Sequence, residues 1–537
     1  MGSFSPNGQI KGDKTLNKKK LMLSKIKKLC RLVFGRTMIV FLFVIIQIVF
    51  FWLCVNTMKN SMEYFYALNL IISTLAMIYI ISDKSNTSFK MAWIIPVLTL
   101  PVFGTLMYTY VRLEIGTRLV RRRLSDVIKE TNGYLQQNDD VVHELADIDE
   151  AEVRFAEYMK NHAFFPVYKN TATKFFPFGE DKFEALKREL LAAEKFIFME
   201  YFIVDEGYMW DSILEILKQK VKEGVEVRFM YDGTCTIMLL PVNYPKKMQS
   251  LGIKCKVFSP IVPVLSTVQN NRDHRKIVVI DGKTAFTGGI NLADEYINKV
   301  KRFGQWKDTG IMLKGEAVKS FTMMFLQNWN MTEQKWDNFG DYIVSDFPEL
   351  RDEAKPGYVI PYSDSPLDRE NVGLSVYLDI LYRAKKYVHI MTPYLIIDDE
   401  MKTALCYAAK RGVDVSIIMP HIPDKKYAFW LAHTYYAELI EAGVKIYEFT
   451  PGFVHAKVFV SDDIRAVVGS INLDYRSLFL HFECAAYTYG TGSVRETEED
   501  YRLTLQKCQR ITLDDCKKFN IFTKFFGRVL RIIAPLM

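Results

Sequence analysis

Outside its first 37 residues this chain has no surplus of positive charge. Of the formal +8 carried by 537 residues, segment 1–37 holds +9, ten Lys or Arg against Asp13 alone, which leaves −1 for the rest. A nucleic-acid enzyme needs a basic groove with interleaved aromatics, and a near-neutral body does not supply one. A basic tail ahead of an apolar run suits an anionic membrane surface instead. The eight cysteines include no C-x-x-C pair, which argues against a zinc site or a disulfide framework and fits a reducing compartment. No small-residue cleavage site follows the first apolar run, and the basic stretch before it is long for a signal peptide, so that run reads as a membrane span. Proline is absent from 112–160, where Gly116 and Gly133 are the only glycines, so that stretch reads as a charged helical connector.

Long apolar runs are present at the start. Met38 to Val55 is uncharged and long enough to cross the hydrocarbon core, and Tyr64 to Ser82 is a second such run. The third, Met91 to Tyr110, contains Pro96, Pro101 and Gly104, so it either crosses as a kinked helix or dips in and returns. Segments 38–55, 64–82 and 91–110 define a membrane region, 38–111. The basic tail and Arg112, Arg118, Arg121, Arg122 and Arg123 all favour the cytoplasmic side, which two crossings plus a re-entrant third segment satisfy. The expected location is therefore a membrane, with the body in the cytoplasm.

The body repeats itself. A-A-E-K-F-I-F-M-E-Y-F-I (192 to 203) answers R-A-K-K-Y-V-H-I-M-T-P-Y (383 to 394), 224–231 answers 412–419, and 251–260 answers 442–451. Short apolar strands alternate with helix-length amphipathic stretches, which predicts two tandem α/β halves at 161–345 and 346–510, joined near 331–360. The first half inserts ten residues between Pro260 and His274, including the apolar run Ile261 to Leu265. Residues 511–537 are basic and amphipathic, with Phe519, Phe522, Phe526, Leu530 and Ile533 on one stripe. They form either an interfacial helix or one packed on the body.

The chemistry lies in a doubled motif. His274, Lys276, Asp281, Gly288, Gly289 and Asn291 recur at identical intervals as His455, Lys457, Asp462, Gly469, Ser470 and Asn472. On a strand, residues two apart share a face, so each half offers one imidazole beside one cation. One H-x-K is commonly coincidence, whereas two copies at the same spacing predict one composite site. This pattern resembles the doubled HxKxxxxD signature of the phospholipase D superfamily. Glu200 to Ile203, Asp294 to Tyr296, Trp306 to Asp308, Thr392 to Leu395, Asn472 to Ser477 and Phe482-Glu483 narrow the likeness to bacterial cardiolipin synthases. Where that family carries Asn before Phe-Glu, this chain has His481.

The resemblance implies two phospholipase D-like α/β domains sharing an active site at their interface, preceded by transmembrane helices. It also implies transfer of a phosphatidyl group from one phosphatidylglycerol to another, giving cardiolipin and glycerol without a metal or cofactor. His274 would be the nucleophile and His455 the acid and base, although the near-symmetry of the two copies leaves that choice open. Lys276, Lys457, Asn291 and Asn472 would hold phosphate, with Gly289, Ser470 and Glu483 in support. The resemblance also places Asp281 and Asp462 in the catalytic set, while the residues alone leave them as turn residues or as hydrogen-bond partners of the neighbouring half. A lipid hydrolase would use the same residues with water as acceptor; a nuclease and a non-enzymatic scaffold fit the chain less well.

Overall fold

A computed structural model of the chain describes residues 36–57, 62–113, 117–260, 270–347, 357–368 and 370–536. The basic tail over 1–35, the apolar run Ile261 to Leu265 and residues 348–356 of the expected junction lie outside the described residues. The chain divides into two units, 1–116 with 261–269 and 117–260 with 270–537.

The first unit is helical. Helices Arg36–Thr57 and Met62–Ser82 are followed by Thr87–Thr99 and Pro101–Arg112. The third apolar segment is thus two helices, broken at Leu100 (φ −132, ψ 74) because a residue before proline disfavours helical backbone. Their 13 and 12 residues give lengths of about 20 Å each, short of the roughly 30 Å of a hydrocarbon core. They pack at backbone contact, since a Cβ on Gly104 would lie 2.5 Å from the Pro96 carbonyl. The Phe103 amide donates to Gln47 Oε1 at 3.0 Å, tying the last helix to the first. Among the described residues no helix is long and apolar enough to cross a membrane; in the first two helices the described side chains cover 41–52 with 56, and 63–64 with 67–82.

The second unit carries the repeat. Its first half contains β1 (Thr171–Phe176), β2 (Phe196–Tyr201), β3 (Glu226–Asp232), β4 (Lys254–Phe258), β5 (Ile277–Ile280), β6 (Thr284–Gly288), β7 (Gln305–Lys307) and β8 (Gly310–Gly315). The second half contains β9 (Tyr358–Asp364), β10 (Tyr387–Met391), β11 (Leu395–Ile396), β12 (Asp414–Pro420), β13 (Lys445–Phe449), β14 (Gly452–Val454), β15 (Val458–Ser461), β16 (Arg465–Gly469), β17 (Leu473–Asp474), β18 (Glu483–Tyr489) and β19 (Cys508–Ile511). The main sheets run β1-β8-β6-β5-β2-β3-β4 and β9-β18-β16-β15-β10-β12-β13-β19. Strand for strand they match, with β19 added at one edge. The parallel strand β2 carries apolar residues on both faces because helices cover them, Ile197 and Met199 on one and Phe196 and Phe198 on the other. Trp210, Ile213 and Leu217 of helix Tyr208–Lys222 bury against Ile197, Met199 and Phe229 in one core. The halves meet where β16 and β18 pack on β6 and β8, with Thr287 Oγ1 and Cys484 Sγ 3.3 Å apart across the contact.

The connector is more than a spacer. Its helix Glu150–Asn161 buries Glu152, which accepts from Arg383 (3.0 Å), Arg465 (2.8 Å) and the Tyr487 hydroxyl (2.6 Å) of the second half. At the other end, helix Ile521–Ile533 packs on Lys426–Glu441. Gly527 permits this, because a Cβ there would meet Trp430 O and Thr434 Cγ2 at 2.7 Å. That contact corrects the expected stripe. Phe519 stacks on His433 and Leu530 is half-buried, while Ile521, Phe522, Phe525, Phe526, Val529, Ile532 and Ile533 face outward.

Candidate active site

The two H-x-K segments do not lie within the ladder strands, as their pattern suggests, but just ahead of β5 and β15. Each is drawn off by the opposite half. The His274 N–H donates to Phe482 O at 2.9 Å and the Phe482 N–H to Arg272 O at 2.8 Å. The His455 N–H donates to Lys307 O at 2.7 Å, extending the parallel pairing of β14 with β7. Phe482 and Lys307 each precede a carboxylate, so the backbone exchange delivers Glu483 to His274 and Asp308 to His455.

Both rings are fixed this way. His274 Nδ1 lies 2.9 and 3.0 Å from the two oxygens of Glu483, and His455 Nδ1 donates to Asp308 Oδ2 at 2.6 Å. A carboxylate on Nδ1 sets the tautomer, leaving Nε2 to do chemistry. The supporting residues fit the two carboxylates differently. Ser470 Oγ donates to Glu483 Oε2 at 2.5 Å. The equivalent Gly289 leaves room for Asp308, whose Oδ1 would be 2.1 Å from a Cβ there. Asp308, quoted from the motif without a role, is the partner that sequence reasoning missed; its only signal was its adjacency to Trp306 and Lys307.

His274, Asn291, His455 and Asn472 line one cavity of about 430 Å³, with Phe202, Tyr296, Trp306, Tyr394 and His481 around them. Lys276 and Lys457 lie behind it, buried, each Nζ donating to the carbonyl of its own His274 or His455. Asn291 is committed to the fold, accepting from the Ile203 N–H and donating to the Tyr296 hydroxyl, while Asn472 Oδ1 has no partner among the described residues. Glu200 is buried in an ion cluster with Arg275 and is structural.

Asp281 and Asp462 depart from the catalytic assignment and take the turn reading. Each sits at the far end of its strand, in a turn with φ 54 and 57, and neither lines the cavity. Asp281 accepts from the N–H groups of Glu194, Lys195 and Phe196, and Asp462 from those of Lys385, Lys386 and Tyr387. They hold their own halves, not the neighbouring one. With Gly282 and Asp463 also at positive φ, each opens a three-residue hairpin loop, 281–283 or 462–464, whose first two residues are left-handed.

Burial governs the electrostatics. It pushes Lys276 down to about 8 and Lys457 to about 7, against the pull of nearby carboxylates. Burial, then Lys457, lowers His455 to about 4, with Asp308 opposing. His274 is depressed well below its ordinary value by burial and then Lys276. Burial lifts Glu483 to about 8. Two neutral imidazoles beside two buried amines thus supply nucleophile, proton carrier and cations, suited to a phosphodiester.

Comparison with known proteins agrees with this geometry. The family model for the cardiolipin synthase, PLD-like domain matches residues 186–329 and 377–503, and one for the phospholipase D-nuclease N-terminal region matches 71–111. A protein of uncharacterised function from Streptococcus mutans is 52% identical over 86% of this chain and 99% of its own length. Cardiolipin synthase 2 of Bacillus anthracis is 34% identical over 85% of this chain and 88% of its own. Among solved structures, phosphatidylserine synthase of Haemophilus influenzae superposes with a TM-score of 0.52 at 14% identity, covering 72% of this chain and 98% of that one. That likeness concerns the fold alone.

Proposed function

The chain belongs to the family of PLD-like cardiolipin synthases, and from that premise we propose that it moves a phosphatidyl group from one phosphatidylglycerol to the hydroxyl of another, releasing glycerol. The observation that carries this is the crossed pairing of His274 with Glu483 and His455 with Asp308 in one cavity, which occupies both Nδ1 atoms and leaves the Nε2 of each ring for the substrate.

In this mechanism the neutral His274 attacks phosphorus, a P–N bond forms, and the glycerol oxygen leaves with a proton from His455. The second lipid's hydroxyl then gives its proton to His455 and displaces His274. Lys276 and Lys457 offset the charge on the equatorial oxygens, so a protein cation does what a metal would otherwise do. The bound phosphodiester in turn raises His455 toward protonation, since its negative charge lies beside an imidazole held low in the empty site.

Membrane residence completes the reading. By length alone Arg36–Thr57 and Met62–Ser82, at 22 and 21 residues, match membrane spans, which this reading takes them to be, with the broken pair Thr87–Thr99 and Pro101–Arg112 as a re-entrant hairpin and the body in the cytoplasm. The outward apolar face of Ile521–Ile533 would rest on lipid near the cavity, which Ala534 helps to line. Restricting bulk water there favours transfer over hydrolysis. Vesicles of pure phosphatidylglycerol should therefore yield cardiolipin and glycerol, with added glycerol driving the reaction backwards. Phosphatidic acid as the main product, insensitive to glycerol, would identify a hydrolase instead.

A further inference from the structure

His481 is 8% exposed and lines the cavity beside His274, their ring centroids 5.6 Å apart. Among the described residues neither of its ring nitrogens has a hydrogen-bond partner. The Glu483 Oε1 atom is 3.8 Å from Nδ1, beyond bonding length, and that carboxylate is already engaged by His274 and Ser470. The backbone holds the ring in place, since the His481 N–H donates to Arg476 O at 2.8 Å. A buried polar side chain kept unpaired at the wall of a cleft implies a partner that arrives with the substrate.

The surroundings define that partner. His274, His481 and Glu483 together have the donor set of a metal site, their ligand atoms within 4.8 Å of one another. Yet burial first, and then Arg476, Lys276, Arg272 and Lys425, act against positive charge at His481. A divalent cation would meet four repulsions, and an ammonium head group would meet the same. A neutral imidazole offers one N–H donor and one bare nitrogen acceptor. A phosphate oxygen satisfies the donor, but only a hydroxyl or a neutral N–H satisfies the acceptor. The diacylglycerol part of a phospholipid has no free hydroxyl, whereas a glycerol head group has two. The opposite half differs at the equivalent place: Trp306, two residues before Asp308 as His481 is two before Glu483, lies 5.5 Å from His455 and is a donor only.

We infer that His481 is a specificity residue that hydrogen-bonds a glycerol hydroxyl beside the reacting phosphate, so that the phosphatidyl group passes preferentially to polyols. This rests on the transferase reading. In the selective step the incoming hydroxyl oxygen bonds phosphorus, its proton passes to His455, and the P–N bond breaks with its electron pair returning to His274.

The test offers isotope-labelled glycerol and 1-propanol at equal concentration to the full-length protein in phosphatidylglycerol vesicles and measures labelled phosphatidylglycerol against phosphatidylpropanol. Both alcohols divide one covalent intermediate, so the ratio does not depend on how much protein is folded. The wild type should favour glycerol. His481→Leu should lower the glycerol-to-propanol ratio about ten-fold, the worth of one buried hydrogen bond, and His481→Asn, with a donor and an acceptor, should restore most of it. An unchanged ratio in His481→Leu overturns the inference, as does inhibition of the wild type by micromolar zinc that His481→Asn abolishes, which would make this a metal site. Failure of the transferase reading shows separately, as absence of cardiolipin from the wild type.

Discussion

Replacing Asp308 by Asn would test the crossed pairing most directly. Asp308 is fully buried, accepts from His455 Nδ1 at 2.6 Å and takes the Thr309 N–H on its other oxygen at 2.8 Å. Asn has nearly the same shape. With its oxygen kept on Thr309, its NH₂ faces Nδ1, so the ring is held with the proton on Nε2 and cannot accept one from an incoming hydroxyl. The imidazolium also loses its counter-charge, and two unit charges about 4 Å apart at an effective dielectric near 20 attract by about 4 kcal/mol. That corresponds to roughly a thousand-fold in rate. Single-turnover formation of cardiolipin from phosphatidylglycerol vesicles should accordingly fall on the order of 10²–10³-fold. Cleavage of a phosphatidyl ester of p-nitrophenol should suffer at least about ten times less, since a good leaving group needs little protonation. Glu483→Gln, acting on the other ring, should depress both reactions by similar factors. Lipid transfer by Asp308→Asn within about three-fold of wild type, or equal losses on the two substrates, would refute the assignment of His455 as the acid and base.

Further outcomes follow from the same geometry. Asp281→Ala removes three backbone hydrogen bonds to a carboxylate and should lower the melting temperature, at a cost of about 2–4 kcal/mol, while activity per folded molecule changes little; normal stability with lost activity would return Asp281 to the catalytic set. Burial holds Lys276 near 8 and Lys457 near 7, so both lose charge as pH rises through those values, while the depressed His274 stays neutral. The kcat/KM profile should decline above about pH 8, and a steady climb from 7 to 10 would contradict the role of the lysines. Gly527→Leu should dislodge the C-terminal helix from Trp430 and Thr434, shifting products toward phosphatidic acid on thin-layer plates; unchanged products would remove that helix from any part in excluding water. Activity should survive exhaustive EDTA treatment, and a loss reversed by zinc would end the metal-free mechanism.

Much of this protein is written locally. Alternating apolar strands and amphipathic helices, repeated in order, specify two α/β halves, because periodicity decides which face of each element is buried. The hairpin turns at Asp281-Gly282 and Asp462-Asp463 are likewise local, since short polar residues and glycine tolerate positive φ. The doubled His and Lys were legible for the same reason, as identical words at identical spacing. Pro101 broke the third apolar segment at the residue before it, also a local effect. What only the tertiary structure decided are the partners. Glu483 stands 209 positions from His274 and Asp308 stands 147 from His455, and nothing in the spacing says that each carboxylate serves the opposite half. That exchange depends on how segments ahead of β5 and β15 pair with backbone ahead of β18 and beyond β7. The unpaired ring of His481 and the outward face of the last helix have the same origin. A side chain's hydrogen bonds and exposure belong to the space around it, and that space is assembled from chain that is distant in sequence.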